Sequence, residues 1–485
     1  VLAVLTYGAL PEVYENANGE QVEVTRAACA TAGVAAWMAV WWLTEAIEIY
    51  ATALLPLVLL PLLGATSIKA AAAPYAHDLI FLFMGGFLVG LTMERWGLHR
   101  RLALNTLGLA GDRPAGIVAA FLGVTALLSM WVSNTATAVM MLPVGLSVIE
   151  LVDRQLAGES AAERTTRRNF ALCLLLAIAY GASIGGIGTP IGTPPNLFLA
   201  SFMKANLGHE VSFVRWMGVA LPLVVVFLPI TWWLLTRVLY PIRIRRIEGS
   251  AALVRRSLTD LGPMGPGERV TLVVFTLAAG LWVTRPLLTQ LEVGGLRPLA
   301  ELSDAGIAML AALLLFVTPV ARGGPFALDW PTAVRLPWGI LVLFGGGLSL
   351  AATIQAVGLG ELIGSQVVAL AGTPPWLIVA GVVTAIVFLT ELTSNTATTA
   401  TLIPILAALA PGLGVAPELL IVPAAIAASC AFMLPVATPP NAIIFGSGRI
   451  TIPEMSRAGF WLNWIGVVLV TALTYAVVIP MLALG

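Results

Sequence analysis

Apolar residues fall in twelve stretches separated by short polar joints, near residues 27–43, 47–64, 79–98, 115–152, 170–203, 216–240, 270–288, 305–320, 338–358, 376–410, 418–446 and 458–484. Runs of about 20 apolar residues predict membrane-spanning helices. Four of the stretches are interrupted by polar residues or helix breakers. Ser133-Asn134-Thr135 lies in the middle of 115–152, and Ser394-Asn395-Thr396 in the middle of 376–410. Each predicts a helical hairpin with the tripeptide at its tip. Length alone leaves open whether the hairpins cross fully or stop halfway. Thr193-Pro194-Pro195-Asn196 interrupts 170–203, and Thr438-Pro439-Pro440-Asn441 interrupts 418–446. Lipid cannot satisfy the backbone groups that such a break frees, so broken segments belong where they are buried in protein or line a cavity. The apolar run Val1–Leu10 is too short to span and reads as the end of a first helix whose start is missing.

Composition fits this pattern. Hydrophobic residues make up 59% of the 485 and charged residues 10%, with mean hydropathy +0.95. That excludes a water-soluble globular domain and indicates a polytopic protein in the lipid bilayer. The 25 basic and 25 acidic residues balance, which gives no charge argument for a nucleic-acid partner. Cys29, Cys173 and Cys430 lie in separate apolar segments and read as small buried hydrophobes. His77, His99 and His209 are dispersed near segment ends, a poor pattern for a catalytic or metal centre.

An alternating assignment of the joints puts 19 of the 25 basic residues on one side and 6 on the other. The first side is then cytoplasmic, the C-terminus lies outside, and the N-terminus lies inside if a first helix spans. The hairpin at 115–152 has basic flanks (Arg100, Arg101 and Arg113 before it, Arg154 and Arg164 after) and enters from the cytoplasm. The hairpin at 376–410, bounded by Gly372-Thr373-Pro374-Pro375 and Pro411-Gly412, enters from outside. Trp41, Trp42 and Tyr50 flank a joint as interfacial aromatics do. Glu45 and Glu48, in that joint, read as interfacial or packing groups.

Subtracting positions exposes an internal repeat. Ser129/Thr390, Ser133/Ser394, Pro143/Pro404 and Gly85-Gly86/Gly346-Gly347 share an offset of 261, and the two Thr-Pro-Pro-Asn motifs an offset of 245. Duplication with opposite orientation is the inverted-repeat plan of secondary transporters, whose sites lie at the repeat interface near the bilayer midplane. The glycine pairs read as close helix packing.

The tip and break residues suit ions. Hydroxyls, Asn carbonyl oxygens and the carbonyls freed at a helix end are hard ligands for Na⁺. Freed N–H groups at a helix start suit a carboxylate. Neither hairpin contains Lys or Arg, so a bound dianion would need co-bound cations as counter-charge; a neutral solute would also fit. Glu391, near the second tip, reads as a structural acid hydrogen-bonded to a neighbouring tip, with a functional acid at membrane depth as the alternative.

At these motifs, and at the early Trp41-Trp42-Leu43-Thr44-Glu45-Ala46 run, the chain resembles the divalent anion/sodium symporter family, the sodium-coupled carriers of dicarboxylates, citrate and sulfate. The resemblance covers nearly the whole chain. It implies an all-α polytopic fold of about eleven transmembrane helices plus two re-entrant hairpins, a homodimer, and an elevator movement of a transport region against a scaffold. On that plan 1–114 holds scaffold helices of repeat 1, and 115–210 the first hairpin and broken helix of the transport region. Residues 211–375 hold scaffold and linking helices, 376–450 the second hairpin and broken helix, and 451–485 the C-terminal helix. The resemblance further implies one sodium site at Ser129, Ser133, Asn134 and the Gly192 carbonyl, and another at Thr390, Thr393, Asn395 and the Ala437 carbonyl. The substrate site would comprise Asn134, Thr135, Thr193, Pro194, Asn395, Thr396, Thr438 and Pro439. Thr393 is a partial exception, because its repeat mate is Val132.

The function these readings imply is sodium-coupled import of C4-dicarboxylates such as succinate, malate or fumarate across the cell's inner (plasma) membrane. Hydroxyl, Asn or small residues at every cation position favour symport over sodium-independent exchange. A citrate or sulfate carrier of the same family is the nearest alternative. An intramembrane hydrolase would need a base beside Ser133 or Ser394, and the histidines lie outside the apolar cores. A channel would need a continuous pore, which two internal tips do not provide.

Overall fold

The computed structural model describes residues 6, 10–15, 21–108, 111–156, 160–244, 246–293, 295–370 and 372–480. The helix end expected at Val1–Leu10 therefore lies outside the described residues, apart from Thr6 and Leu10. One departure from an all-helical chain follows: strands Val13–Glu15 (β1) and Gln21–Glu23 (β2) pair antiparallel, Val13 opposite Glu23.

The remaining elements are helices whose ends the sequence marks chemically. Helix α1 (Arg26–Thr44) starts under Thr25, whose hydroxyl accepts from Ala28 N, and stops at Glu45 in the left-handed region, φ 48°. After α2 (Leu55–Leu62) comes α3 (Asp78–Trp96), stopped by Gly97 at φ 71°, and α4 (Leu98–Leu107). The first hairpin is α5 (Pro114–Ser129) and α6 (Asn134–Gln155). The first broken helix is α7 (Ala161–Gly186) and α8 (Pro194–Phe202). Linking helices are α9 (Phe213–Trp233), α10 (Ser250–Asp260) and α11 (Pro266–Leu288), and α12 (Asp304–Val317), at the offset of 261 from positions 43–56, opens the second repeat.

The second repeat runs through α13 (Trp338–Ala356), α14 (Leu359–Ser365), the hairpin α15 (Pro375–Leu389) and α16 (Asn395–Leu409), and the broken helix α17 (Glu418–Ala428) and α18 (Pro439–Phe445). Helix α19 (Ile452–Leu473) follows. The repeat extends further than the motifs alone indicated. Gly97 and Gly358, both left-handed at φ 71° and 72°, each end a long helix and begin a short one, α4 or α14, at the same offset of 261.

Among the described residues, eight helices are long and apolar enough to cross a membrane, and six apolar helices are shorter. Both arms of the second hairpin, 15 residues each, and the first arm of the other, 16 residues, are among the shorter ones. At 1.5 Å per residue they reach about 22–24 Å, less than the ~30 Å hydrocarbon core. Helix α6, with 22 residues, projects beyond its partner arm.

The two hairpins point in opposite directions. Asp153 at the far end of α6 pairs with Arg449 beyond α18 at 2.7 Å. His209 beyond α8 pairs with Glu418, which follows α16, at 2.6 Å. From a common centre, α6 and α18 run one way while α8 and α16 run the other.

The glycine pairs pack helices across the repeats. A Cβ on Gly85 of α3 would strike the Ala308 backbone of α12, and one on Gly346 of α13 would strike the Ala53 backbone before α2. Helix α7 is buried all round from Phe170 to Gly186 and forms the centre of the core. The interfacial expectation for Trp42 is corrected: its side chain is fully buried, and its indole donates to the Ile49 carbonyl at 3.0 Å. The Trp is consumed in closing the joint because its lone N–H needs an acceptor once it leaves water.

Candidate functional site

Four helices begin at one place. Ser133 caps α6, Thr193 caps α8, Ser394 caps α16 and Thr438 caps α18. The starts meet in a cavity of about 750 Å³. Asn134, Thr135, Thr193, Pro194, Asn395, Thr396, Thr438 and Pro439 all line it, so every residue expected to hold substrate is in one place. Each is a cap or a first- or second-position residue of a helix. There the first N–H groups have no partner within the helix and the dipole's positive end is exposed. Ser133 Oγ and Thr438 Oγ1 take up one N–H each, from Ala136 at 3.2 Å and Asn441 at 3.3 Å. Helices α8 and α18 open on Pro-Pro and present no N–H at their first two positions, so the leading N–H groups that suit an anion are those of α6 and α16. Helix α18 is the shortest of the four, at seven residues.

Behind each tip, a hydroxyl and an Asn oxygen meet. Ser129 Oγ donates to Asn134 Oδ1, and Thr390 Oγ1 donates to Asn395 Oδ1 at 2.7 Å. Ser129 and Thr390 are fully buried and do not line the cavity. Ser133, Gly192, Thr393 and Ala437 do line it. A Cβ built on Gly186 would stand 2.8 Å from Asn134 Oδ1 and 3.1 Å from the Gly192 carbonyl oxygen. Those two oxygens therefore converge on one small volume at the end of α7, kept open by the missing side chain. Thr393 turns away: its hydroxyl donates to the Leu389 carbonyl at 3.0 Å and lies 2.6 Å from Thr398 Oγ1. Of Thr393, this leaves the main chain as the group free to serve an ion.

The fourth residue of each Thr-Pro-Pro-Asn motif has a different role from its neighbours. Asn196 and Asn441 are fully buried and face away from the cavity. Asn196 Nδ2 donates to the carbonyls of Gly186, Ile187 and Thr189 at 3.1, 3.1 and 2.8 Å. Asn441 Nδ2 donates to those of Ala431 and Leu434 at 3.3 and 3.0 Å. Gly186/Ala431 and Thr189/Leu434 are repeat mates at offset 245. A Pro-Pro pair withdraws two backbone donors, and the Asn amide stitches the carbonyls left open. The motif carried that signal, since an amide follows a double proline in both copies.

Glu391 does not line the cavity. Its carboxylate, 3% exposed, accepts from the N–H groups of Phe432, Met433 and Leu434 at 2.6, 2.9 and 3.0 Å, and from Asn463 Nδ2 of α19 at 2.8 Å. These partners fit the structural reading of this acid, although they lie on the second break and on α19 and not on a tip. Glu45, Tyr50, Glu94 and Arg335 also line the cavity. Sequence reasoning assigned none of them to the site, because they come from positions distant from the tips and breaks.

Residues 21–483 match the family described as "Sodium:sulfate symporter transmembrane region". A "Sodium-dependent dicarboxylate transporter SdcS" of Staphylococcus saprophyticus is 42% identical over 450 residues, 92% of this chain and 86% of that protein. One of the same description from Staphylococcus aureus is 44% identical over 445 residues, 91% and 84% of the two chains. Among solved structures, the Alcanivorax borkumensis YdaH transporter aligns with a TM-score of 0.57 at 15% identity, over 97% of this chain and 94% of its own. Neisseria gonorrhoeae MtrF aligns at 0.56 and 14%, over 86% and 83%. These two likenesses are of fold alone. With nearly its whole length matched, and relatives above 40% identity along nine-tenths of it, the chain belongs to the divalent anion/sodium symporter family.

Proposed function

We propose that the chain is a sodium-coupled secondary transporter that imports C4-dicarboxylates across the cytoplasmic membrane. The observation that carries this reading is the meeting of four helix starts and two hydroxyl–Asn pairs at one cavity that has no Lys or Arg on its tips or breaks. Carboxylates are held among Asn134, Thr135, Thr193, Pro194, Asn395, Thr396, Thr438 and Pro439, where the starts of α6 and α16 supply N–H donors and the threonines supply hydroxyls; the prolines have no N–H to give. Na⁺ is coordinated by Ser129, Ser133, Asn134 and the Gly192 carbonyl on one side, and by Thr390, Thr393, Asn395 and the Ala437 carbonyl on the other. Asn134 and Asn395 belong to both sets. Cation binding orients their amides, so the dianion binds well only when sodium is present. The names of the Staphylococcus relatives agree with this coupling and this substrate class.

The transport region consists of 115–210 and 376–450, and it moves as an elevator against 1–114 and 211–375, with the C-terminal helix in 451–485. The chain works as a homodimer, N-terminus cytoplasmic and C-terminus outside. Arg335 and Glu94, which line the cavity, come from joints assigned to the basic, cytoplasmic side, which supports an orientation with that side of the cavity toward the cytoplasm.

Radiolabelled succinate uptake into proteoliposomes tests the reading, with an inward Na⁺ gradient against choline, and with or without internal succinate. Uptake that needs Na⁺ and no internal succinate is expected. Uptake that needs internal succinate and ignores Na⁺ would make the protein an exchanger. Competition by citrate or sulfate in the same vesicles ranks the family's other substrates.

A further inference from the structure

Helices α9 and α19 lie side by side: a Cβ on Gly466 of α19 would stand 3.5 Å from Phe227 of α9. Hydrogen bonds tie their ends together on the side rich in basic residues. The last turn of α9 passes into a π-helix, Leu234–Leu239, and the Tyr240 hydroxyl just beyond it donates to the Glu454 carbonyl in the first turn of α19 at 2.6 Å. The start of α7 joins them, because Asn169 Nδ2 donates to the Pro241 carbonyl at 3.1 Å. Short π-helical turns are rare and recur at functional sites. Arg237 lies in this one, three residues before Tyr240, and Arg457 lies three residues after Glu454.

These two arginines are not used inside the protein. Both are exposed, and among the described residues neither forms an ion pair. The acid between them is already taken. Glu454 accepts from Arg168 at 2.6 and 2.8 Å, and from the N–H and hydroxyl of Thr451 at 2.9 and 2.6 Å. The charges of Arg457 and Arg168 both reach the Tyr240 hydroxyl. Positive charge therefore collects where three helix ends meet. Deeper along the two helices stand two tryptophans. Trp233, four residues before Arg237, is 55% exposed, and Trp461, four residues after Arg457, is 52% exposed. A Trp with an Arg one turn nearer to water is the pattern of the headgroup layer. Here it is written twice, in opposite chain directions, on two touching helices. The sorting of charge between the two sides of a membrane asks only that arginines lie on this side. It asks neither for their convergence on one hydrogen bond nor for the paired tryptophans.

We propose that this corner of α7, α9 and α19 binds an anionic phospholipid. Arg237 and Arg457 hold the headgroup phosphate, and Trp233 and Trp461 pack beside the glycerol and the upper acyl chains. The tryptophans select a lipid over a soluble anion, which would gain nothing from them. Only the choice of leaflet, the cytoplasmic one, rests on the orientation proposed above.

The test compares phosphatidylglycerol with phosphatidylcholine, each added at increasing mole fraction to the protein in detergent, with thermal unfolding as the readout. Three proteins are compared: the wild type, the double variant Arg237→Gln/Arg457→Gln, and a control double variant Arg255→Gln/Arg256→Gln. The control removes equal charge from exposed arginines on α10, which packs on α4 and α6. Phosphatidylglycerol is expected to raise the melting temperature of the wild type above its value in phosphatidylcholine. The Arg237/Arg457 variant should need about 25-fold more phosphatidylglycerol for half the effect, about fivefold for each arginine at a charged surface. The control should stay within about twofold of the wild type, since such attraction falls off within a Debye length. Should the double variant not be recovered folded, Arg237→Gln and Arg457→Gln made singly, with about fivefold expected for each, decide in its place. A wild type indifferent to phosphatidylglycerol would overturn the proposal, and so would equal shifts in the two double variants, which would mean diffuse surface charge. Inorganic phosphate that reproduced the stabilisation without lipid would also overturn it, leaving a site for soluble anions.

Discussion

Seen from the cavity, the two repeats are near copies; seen from behind, they are not. Asn, Thr, Thr and Pro recur on both cavity faces at the same helix positions, and a hydroxyl at 129 or 390 backs each Asn. Behind these residues, Gly186 answers Ala431, Thr189 answers Leu434, Met130 answers Glu391, and one Asn amide serves three carbonyls where the other serves two. The difference shows where the constraint lies. Groups that meet solute are fixed by the solute's chemistry. Groups that merely hold the break shut have only to satisfy the same backbone polar atoms, and hydroxyl, carboxylate and amide all serve.

The largest effects are expected at the shared face. Asn134→Ala and Asn395→Ala should each lower succinate uptake by roughly a hundredfold or more, the scale of losing a charge-assisted hydrogen bond together with a cation ligand. Both proteins should still insert and run monodisperse. Full uptake by either one would break the equivalence of the two faces.

Next come the stitches. Of the carbonyls these amides serve, Ile187 keeps Trp216 Nε1, Thr189 keeps the Gly192 N–H and Leu434 keeps the Ala437 N–H. Asn196→Ala and Asn441→Ala therefore each strip the partner from one carbonyl, that of Gly186 or of Ala431. At about 1–3 kcal/mol for an unsatisfied buried group, thermal unfolding in detergent should show comparable losses. A much larger loss for Asn441→Ala would mean that the second break leans on its amide despite the bonds to Glu391.

A smaller contrast separates Gly186→Ala from Ala431→Gly. The first puts a methyl 2.8 Å from Asn134 Oδ1 and should reduce uptake roughly tenfold by displacing that amide. The second removes a methyl that its own repeat already accommodates, and uptake should stay within about threefold. Smallest of all is Leu287→Ala on α11. With that residue 73% exposed, uptake and melting temperature should be almost unchanged, within about 0.5 kcal/mol.

How much of this was legible in the sequence follows the same division. Tips, breaks and inverted order could be read because they break local rules: a polar tripeptide in an apolar run, a double proline in a helix, each written twice. The shared face came with them, since its residues are the first of the helices those motifs begin. The backing was hidden because its partners are remote. Glu391 is visible as an acid in an apolar segment, but its acceptors' donors lie 41 to 72 positions away. Trp42 has the composition of an interfacial anchor, and only the packed joint shows its indole turned inward to Ile49. Hydropathy also fails to separate α7 from α11. The two are almost equally apolar, yet nearly all of the apolar part of one is buried in protein and only a small part of the other. Apolar side chains suit lipid and protein interior equally well.

The exchanged glycine contacts have a consequence for ancestry. Gly85 receives Ala308 from the other half, and Gly346 receives Ala53, so each half buries part of its helix surface on its counterpart. An ancestor with a single copy could have buried those surfaces only against a second polypeptide inserted upside down in the same membrane. Fusion of the two genes would then have fixed one copy in each topology. The halves were afterwards free to drift apart wherever they no longer had to fit themselves, and the unlike clasps behind two like faces are what such drift leaves.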